Sequence, residues 1–297
     1  MSEMHAPIPR RRSISGRLLG FYLLSHPVPV LFHIIAVSIF TFLAAWPNFA
    51  WNIIVLVIAA HAAMQVSIAM INDYCDRRLD AIGKPQKPIP RGLVQPYEAL
   101  LGGLLLTLVM LLLLLPLNRL ALVVSLCYLL LAQGYNLGLK STPLSGVVFA
   151  LAMPLIPLYA FAGMGLTPPL IFWLVPVGFL PGIALNLANA LIDIDEDAAY
   201  GARTLAVVLG TRRSFALCHG LIGASIVAIA LLAIFRLVPA QPLILMVTLA
   251  TTGLATLLLV PGFGQSKPYE TRKLHFNITA LICMVLAGGW LLAVLLR

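Results

Sequence analysis

Nine long apolar segments, joined by short polar connections, run the length of the chain. They lie roughly at 28–46, 51–71, 98–117, 119–138, 144–163, 169–190, 214–236, 241–261 and 275–296. About 20 helical residues cross about 30 Å of hydrocarbon. In lipid every backbone N–H and C=O must be bonded internally, which leaves helices or a closed barrel. Barrel strands alternate in polarity, and a run such as Leu111 to Leu115 does not. The expectation is an all-α polytopic membrane bundle of nine transmembrane helices. The 297 residues are 61% hydrophobic and only 10% charged, which excludes an ordinary soluble domain. Because the runs continue throughout, residues 1–297 read as one membrane domain with a basic polar tail over 1–20. The first run is long and eight follow it, so it reads as a span rather than a cleaved signal peptide.

The net charge of +9 has a topological reading. With the N-terminus cytoplasmic, the inner segments collect Arg10, Arg11, Arg12, Arg17, Arg77, Arg78, Lys84, Lys87, Arg91, Lys140, Arg203, Arg212, Arg213, Lys267, Arg272 and Lys273. The outer ones hold Arg119, Arg236 and Arg297, a bias of 16 against 3. The expected location is a cell inner (plasma) membrane. Nucleic acid is a poor partner, because these cations are scattered over short loops. Cys75, Cys127, Cys218 and Cys283 form no CxxC pair and read as small apolar residues. His33 and His61 each sit alone in an apolar run and read as satisfied core histidines. Pro154, Pro157, Pro176 and Pro181 fall inside spans, as kinks that shape a cavity or only curve the helices. The sequon at Asn277 is read as chance, and the Leu-rich stretch 104–115 as a lipid-facing or core helix.

Acidic residues are rare in this chain and concentrated. Asp73, Asp76 and Asp80 fall in INDYCDRRLDAIGKPQKPIPRG; Asp193, Asp195, Glu196 and Asp197 fall in NALIDIDEDAAYGARTL. Seven of the ten carboxylates therefore occupy two short segments, both on the cytoplasmic side in this topology. Like charges crowd at a cost unless a cation binds them. Asn72, Asp76 and Asp80 recur every four residues, as do Asn189, Asp193 and Asp197. On a helix each trio spans a face about 80° wide. Hard oxygen donors suit Mg2+ or Ca2+. Each half of the chain thus has an outward helix, an inward helix and an acidic cytoplasmic loop, a weak repeat whose halves face each other across one cavity.

Lys84, Lys87, Arg91, Lys140, Arg203, Arg212 and Arg213 lie beside the acids. Divalent ions with such cations neutralise a diphosphate, and the membrane setting gives that diphosphate an apolar tail. An isoprenyl diphosphate meets both conditions. Loss of its diphosphate leaves an allylic cation that aromatic faces shelter, with Tyr135, Tyr159, Phe161, Trp173 and Phe179 as candidates. An electron-rich acceptor then attacks and loses a proton.

Asn72-Asp-x-x-Asp76-x-x-x-Asp80, followed by Lys-Pro-Ile-Pro-Arg-Gly, resembles the first motif of the UbiA superfamily of intramembrane prenyltransferases. Asp193-x-x-x-Asp197-x-x-x-Gly201-x-Arg203-Thr204-Leu205 is similar to its second motif, and Tyr135-Asn-Leu-Gly-Leu-Lys140-Ser-Thr-Pro143 to a third stretch. The resemblance implies a bundle around a central cavity, open to lipid and capped by two motif loops. It implies that Asn72, Asp76, Asp193 and Asp197 hold Mg2+ and diphosphate, with Asp73 and Asp80 completing the first motif's catalytic set. Substrate binding falls to Lys84, Arg91, Tyr135, Asn136, Lys140, Asn189 and Arg203. Where many members open the first helix with Arg-Pro, this chain has His26-Pro27.

The implied reaction is Mg-dependent transfer of a polyprenyl group to a small or lipidic acceptor. Asn-Asp-Tyr-x-Asp-Arg favours an aromatic quinone precursor such as 4-hydroxybenzoate. Lys-Pro-Ile-Pro-Arg-Gly equally resembles members that use chlorophyllide or a glycerol-phosphate ether lipid. Heme O synthesis fits less well, because the second motif keeps its full DxxxD form. A membrane terpene cyclase on the same fold, and a cation or lipid transporter, are the alternatives of other classes.

Overall fold

A computed structural model describes residues 13–167, 170–259 and 269–297. The basic tail to residue 12, with Arg10, Arg11 and Arg12, lies outside the described residues, as does Lys267. The described chain is helical. In order it runs α1 (Ile14–Leu24), α2 (Pro27–Ala45), α3 (Trp51–Gly83), α4 (Pro96–Leu114), α5 (Arg119–Asn136), a 3-10 turn (Leu139–Ser141), α6 (Ser145–Ala152), α7 (Leu155–Gly163), α8 (Ile171–Ala190), α9 (Ile194–Ala199), α10 (Leu205–Leu209), α11 (Thr211–Ile234), α12 (Pro242–Leu259) and α13 (Tyr269–Leu295).

Nine spans among the described residues are long and apolar enough to cross a membrane, with α6 and α7 together forming one of them. They coincide with the nine expected runs, with one informative difference. The second span does not stop at residue 71 but continues to Gly83, for 33 residues. No glycine or proline interrupts Trp51 to Ile82, so nothing ends the helix before the acidic stretch. At about 1.5 Å per residue α3 is about 50 Å long and outreaches the hydrocarbon. The first acidic motif therefore rides on a projecting helix, and its loop begins only at Lys84. The second motif does form a broken connection: α8 ends at Ala190, Asp193 caps the short α9, and Gly201 turns the chain with φ 74°.

Helices close on one another where side chains are smallest. A Cβ built on Gly182 of α8 would lie 2.5 Å from Ala150 Cα on α6, and one on Gly289 of α13 would lie 2.3 Å from Thr248 Oγ1 on α12. Such small-residue contacts take the place of hydrophobic driving force in lipid. The largest buried cluster joins α2, α3, α5, α7 and α13 through Phe40, Met64, Tyr128, Tyr159, Phe161 and Trp290. On α4, Leu101, Leu104, Leu105, Leu108 and Leu112 are all exposed, as a lipid-facing stripe should be. The prolines break or bend spans: Pro154 separates α6 from α7, and Pro176 and Pro181 lie within α8.

Candidate functional site

The two acidic segments, more than a hundred residues apart in sequence, meet at one end of the bundle. Lys84, at the C-cap of α3, donates to Asp193 Oδ2 at 2.8 Å and lies 3.8 Å from Glu196 Oε2. Burial works against the Lys84 ammonium, but Asp193 and Glu196 outweigh it and hold its pKa above the ordinary lysine value. Gly83 permits this approach: a Cβ there would come 2.1 Å from Glu196 Oε1.

Asn72 and Asp76 face α5 and the 3-10 turn. Asn72 Nδ2 donates to Asn136 Oδ1 at 2.9 Å, and buried Asn136 donates in turn to the Ile68 carbonyl at 3.1 Å. Lys140 grips both carboxylate oxygens of Asp76. The Arg203 amide donates to the Ser141 carbonyl at 3.0 Å, which ties the second motif's loop to the turn that carries Lys140. Tyr135 hydrogen-bonds to the Asn189 side chain and feels the charges of Asp197, Asp76 and Asp193. Burial first, then the Asp193 charge, pushes the Asp197 carboxyl up to about 6. Arg91 and Arg203 stand exposed on their loops.

Asp73 and Asp80 form a separate group. Lys87 donates to Asp73 Oδ1 at 2.9 Å and to Asp80 Oδ2 at 2.8 Å, and His26 Nε2 lies 3.0 Å from Asp73 Oδ1. Helix geometry permits the division, and the loop that brings Lys87 to Asp73 and Asp80 decides it. At about 100° per residue, Asp80 lies about 20° from Asp73 around α3 but about 40° from Asp76. The expected single face of Asn72, Asp76 and Asp80 thus splits: the first two point at α5, and Asp80 joins Asp73 against the 84–92 loop. His26, where the resembled motif has arginine, caps α2 with φ 47° and reaches the same aspartate. The sequence pointed to Lys87 as a neighbouring cation, but neither this clamp nor the role of Glu196 was legible from spacing.

Among the described residues no group of three or more histidine, cysteine or acidic side chains is gathered as for a metal ion. Asn72, Asp76, Asp193 and Asp197 share one end of the bundle, with Lys140 on Asp76 and Lys84 on Asp193. The donor set still fits a hard divalent ion. It is all oxygen, and Asp197 lacks a countercharge sufficient to keep its carboxyl in the usual range.

A cavity of about 170 Å³ lies within the span region, with walls from α2, α6, α7, α8, α11 and α13. Its lining is almost wholly apolar. Pro154, Pro157 and Pro181 stand on its wall, which makes the prolines cavity-shaping. Phe149 connects it to the polar end: its ring is 5.5 Å from that of Tyr135. The aromatic candidates read from sequence mostly lie elsewhere. Tyr159 and Phe161 are packed in the core, and Trp173 is 37% exposed. The aromatic wall is Phe32, Phe40, Phe149, Phe276 and Trp290 instead.

An integral membrane protein with nine apolar spans among the described residues, and two acidic motifs bridged by Lys84 beside an apolar chamber, is the class that this geometry defines. The UbiA prenyltransferase family model matches residues 30–281, and the chain belongs to that family. It is 36% identical over 155 residues to a digeranylgeranylglyceryl phosphate synthase of Natronomonas pharaonis, covering 51% of this chain and 55% of that one. It is 31% identical over 163 residues to a 4-hydroxybenzoate octaprenyltransferase of Aeromonas salmonicida, covering 54% and 56%. The chain thus spans little more than half the length of these curated relatives. A UbiA homolog from Archaeoglobus fulgidus, solved bound to DMAPP and Mg2+, superposes with a TM-score of 0.72 at 18% identity, over 93% of this chain and 99% of that one. That likeness establishes a shared fold.

Proposed function

We propose that this protein transfers a prenyl group from a prenyl diphosphate to an acceptor in a Mg2+-dependent reaction. One observation carries the reading: two distant acidic segments converge, bridged by Lys84 and lying beside Lys140, next to an apolar chamber. Such an end suits a diphosphate, and such a chamber suits a hydrocarbon tail. The bound prenyl diphosphate and Mg2+ of the Archaeoglobus homolog support the same assignment.

Asn72, Asp76, Asp193 and Asp197 would hold the ion by their side-chain oxygens. Mg2+, when bound, offsets the charge that develops on the departing diphosphate. Lys84 and Lys140 are short-range donors for phosphate oxygens once they turn from Asp193 and Asp76, and Arg91 and Arg203 extend the cationic rim. Tyr135, held by Asn189, orients the boundary between the polar end and the chamber. Asp73, Asp80 and Asn136 act one step back: the aspartates hold Lys87 and its loop, and Asn136 holds Asn72. Phe149, in the chamber wall and against the Tyr135 ring, would separate the polar end from the chamber. We read 1–297 as one domain, with the N-terminus and both motifs on the cytoplasmic face of an inner membrane, in line with the charge bias.

For the acceptor, we favour a hydroxylated aromatic quinone precursor such as 4-hydroxybenzoate. The Aeromonas relative supports that class, and the Natronomonas relative supports a glycerol-phosphate ether lipid as the second reading. Purified protein, Mg2+ and prenyl diphosphates of several lengths, offered with both acceptor classes, tests the choice by mass spectrometry. We expect a prenylated product and diphosphate release, both stopped by EDTA. Hydrocarbon product formed without acceptor would mean a cyclase instead. Diphosphate release that ignores EDTA would remove the metal from the mechanism.

A further inference from the structure

The apolar chamber has one histidine in its wall, and that histidine is not alone. His33 on α2 lines the chamber. Its ring lies 5.9 Å from that of His61 on α3 and 6.4 Å from that of Tyr128 on α5. His61 is 1% exposed, stacks on Tyr159 of α7 at 5.6 Å and shares a 3.2 Å contact between its Nε2 and Gln65 Nε2. Gln65 also bonds Tyr128. Four helices therefore contribute polar side chains to one point inside the span region. The sequence reading of two separate, satisfied histidines is replaced by a single cluster that is incompletely satisfied: His33 Nδ1 and His61 Nδ1 are both buried without a hydrogen-bond partner.

Polar side chains held inside spans are unfavourable, and where they persist they mark ligand or ion paths. A prenyl chain offers them no hydrogen-bonding atom. Ser225, the wall's hydroxyl, already donates to the Val177 carbonyl at 3.0 Å and competes little for a ligand. His33 lies six residues into α2, about 9 Å along the helix from the end that carries His26 and the acidic motifs. That places it within the chamber but on the side of the polar end.

We propose that His33, backed by His61, Gln65 and Tyr128, is a hydrogen-bonding subsite inside the membrane for the oxygen function of the acceptor. The molecule it takes is neutral at that depth and carries a hydroxyl or carbonyl group on an apolar or aromatic body. An imidazole serves either as donor to a carbonyl or as acceptor from a hydroxyl, according to its tautomer. His33 is then a specificity-determining residue, and His61, whose ring packs against it and is itself held by Gln65, is a positioning residue. The word acceptor rests on the prenyl-transfer reading; the binding of such a molecule does not.

The test uses the full chain in lipid nanodiscs, with empty discs as the partition control, and 4-hexylphenol and hexylbenzene as probes. Wild-type protein should hold 4-hexylphenol at least tenfold more tightly than hexylbenzene. His33→Leu should erase that preference, and His33→Asn, which keeps a polar handle, should restore most of it. In protein labelled with 15N-histidine, 4-hexylphenol but not hexylbenzene should shift two imidazole signals, which His33→Leu and His61→Leu assign. Equal binding of both probes by wild type, or a preference unchanged in His33→Leu, would overturn the proposal. Should His33→Leu not fold, the wild-type preference and the 15N response decide. Phenol binding through His33 without prenyl transfer to any acceptor would sink the proposed function alone. Prenyl transfer with an acceptor KM untouched by His33→Leu would sink this subsite alone.

Discussion

Asp197 carries a carboxyl pushed up to about 6, while Asp76 is held between its neighbours by Lys140. Both are expected to be indispensable for turnover: Asp76→Ala and Asp197→Ala should each lower kcat by at least about 100-fold, with an unfolding midpoint close to wild type. Near-normal kcat in both would dismiss the metal site. The Asp197 shift also has a stability consequence. Its folded pKa of about 6 lies above the ordinary 3.8, so the folded chain binds that proton more tightly than the unfolded chain does. The resulting stability is present at low pH and lost as pH rises through about 6. In metal-free protein the unfolding midpoint should therefore fall between pH 5 and 7, and Asp197→Asn should flatten that slope; an identical slope in the variant would contradict the assignment. Lys87 makes a different kind of claim. It is mostly buried and neutralises Asp73, which is 2% exposed. Lys87→Met should destabilise by about 3 kcal/mol, because it strands a buried charge. A thermal midpoint equal to wild type would show that Asp73 finds another partner.

Among the elements, α3 is decisive. Its unbroken run carries the acids out of the hydrocarbon, and its last glycine lets the second motif close on it. The spans and most of their ends were legible, because an apolar run of about 20 residues in lipid has only one backbone solution. The division of the first motif was not legible. Fourfold spacing promised one acidic face, but whether Asp80 serves Asp76's side or Asp73's depends on where Lys87 arrives from the loop. The prolines were legible as breaks, yet only packing of α6 and α7 against α8 put three of them on a cavity wall. At the α6–α8 crossing, Gly182→Ala should cost about 1–3 kcal/mol, because its Cβ would meet the Ala150 backbone, which cannot swing aside. Gly83→Ala clashes with the flexible tip of Glu196, which can swing aside, and meets Tyr200 Cε2 at an ordinary 3.4 Å, so it should leave the unfolding free energy within about 0.5 kcal/mol of wild type. The reverse order of the two variants would mean that the crossing is looser than its geometry.

For the whole molecule, ligand linkage is the readout. Mg2+ with a prenyl diphosphate should raise the unfolding midpoint more than either alone, because each completes the other's coordination; at 100-fold excess over Kd the gain is about 2.7 kcal/mol. Additive effects would argue against a shared site. Composition and local spacing were enough to assign the lipid setting, the helical class, the spans and the two acidic segments. Which side chains meet came from the packing of the bundle: Lys84 with Asp193, His26 and Lys87 with Asp73, and His33 with His61. Those pairings join residues 14 to 109 positions apart: Lys87 and Asp73 at 14, His33 and His61 at 28, His26 and Asp73 at 47, and Lys84 and Asp193 at 109. Helix periodicity reaches only a few turns, so partners on other helices are set by how the bundle packs.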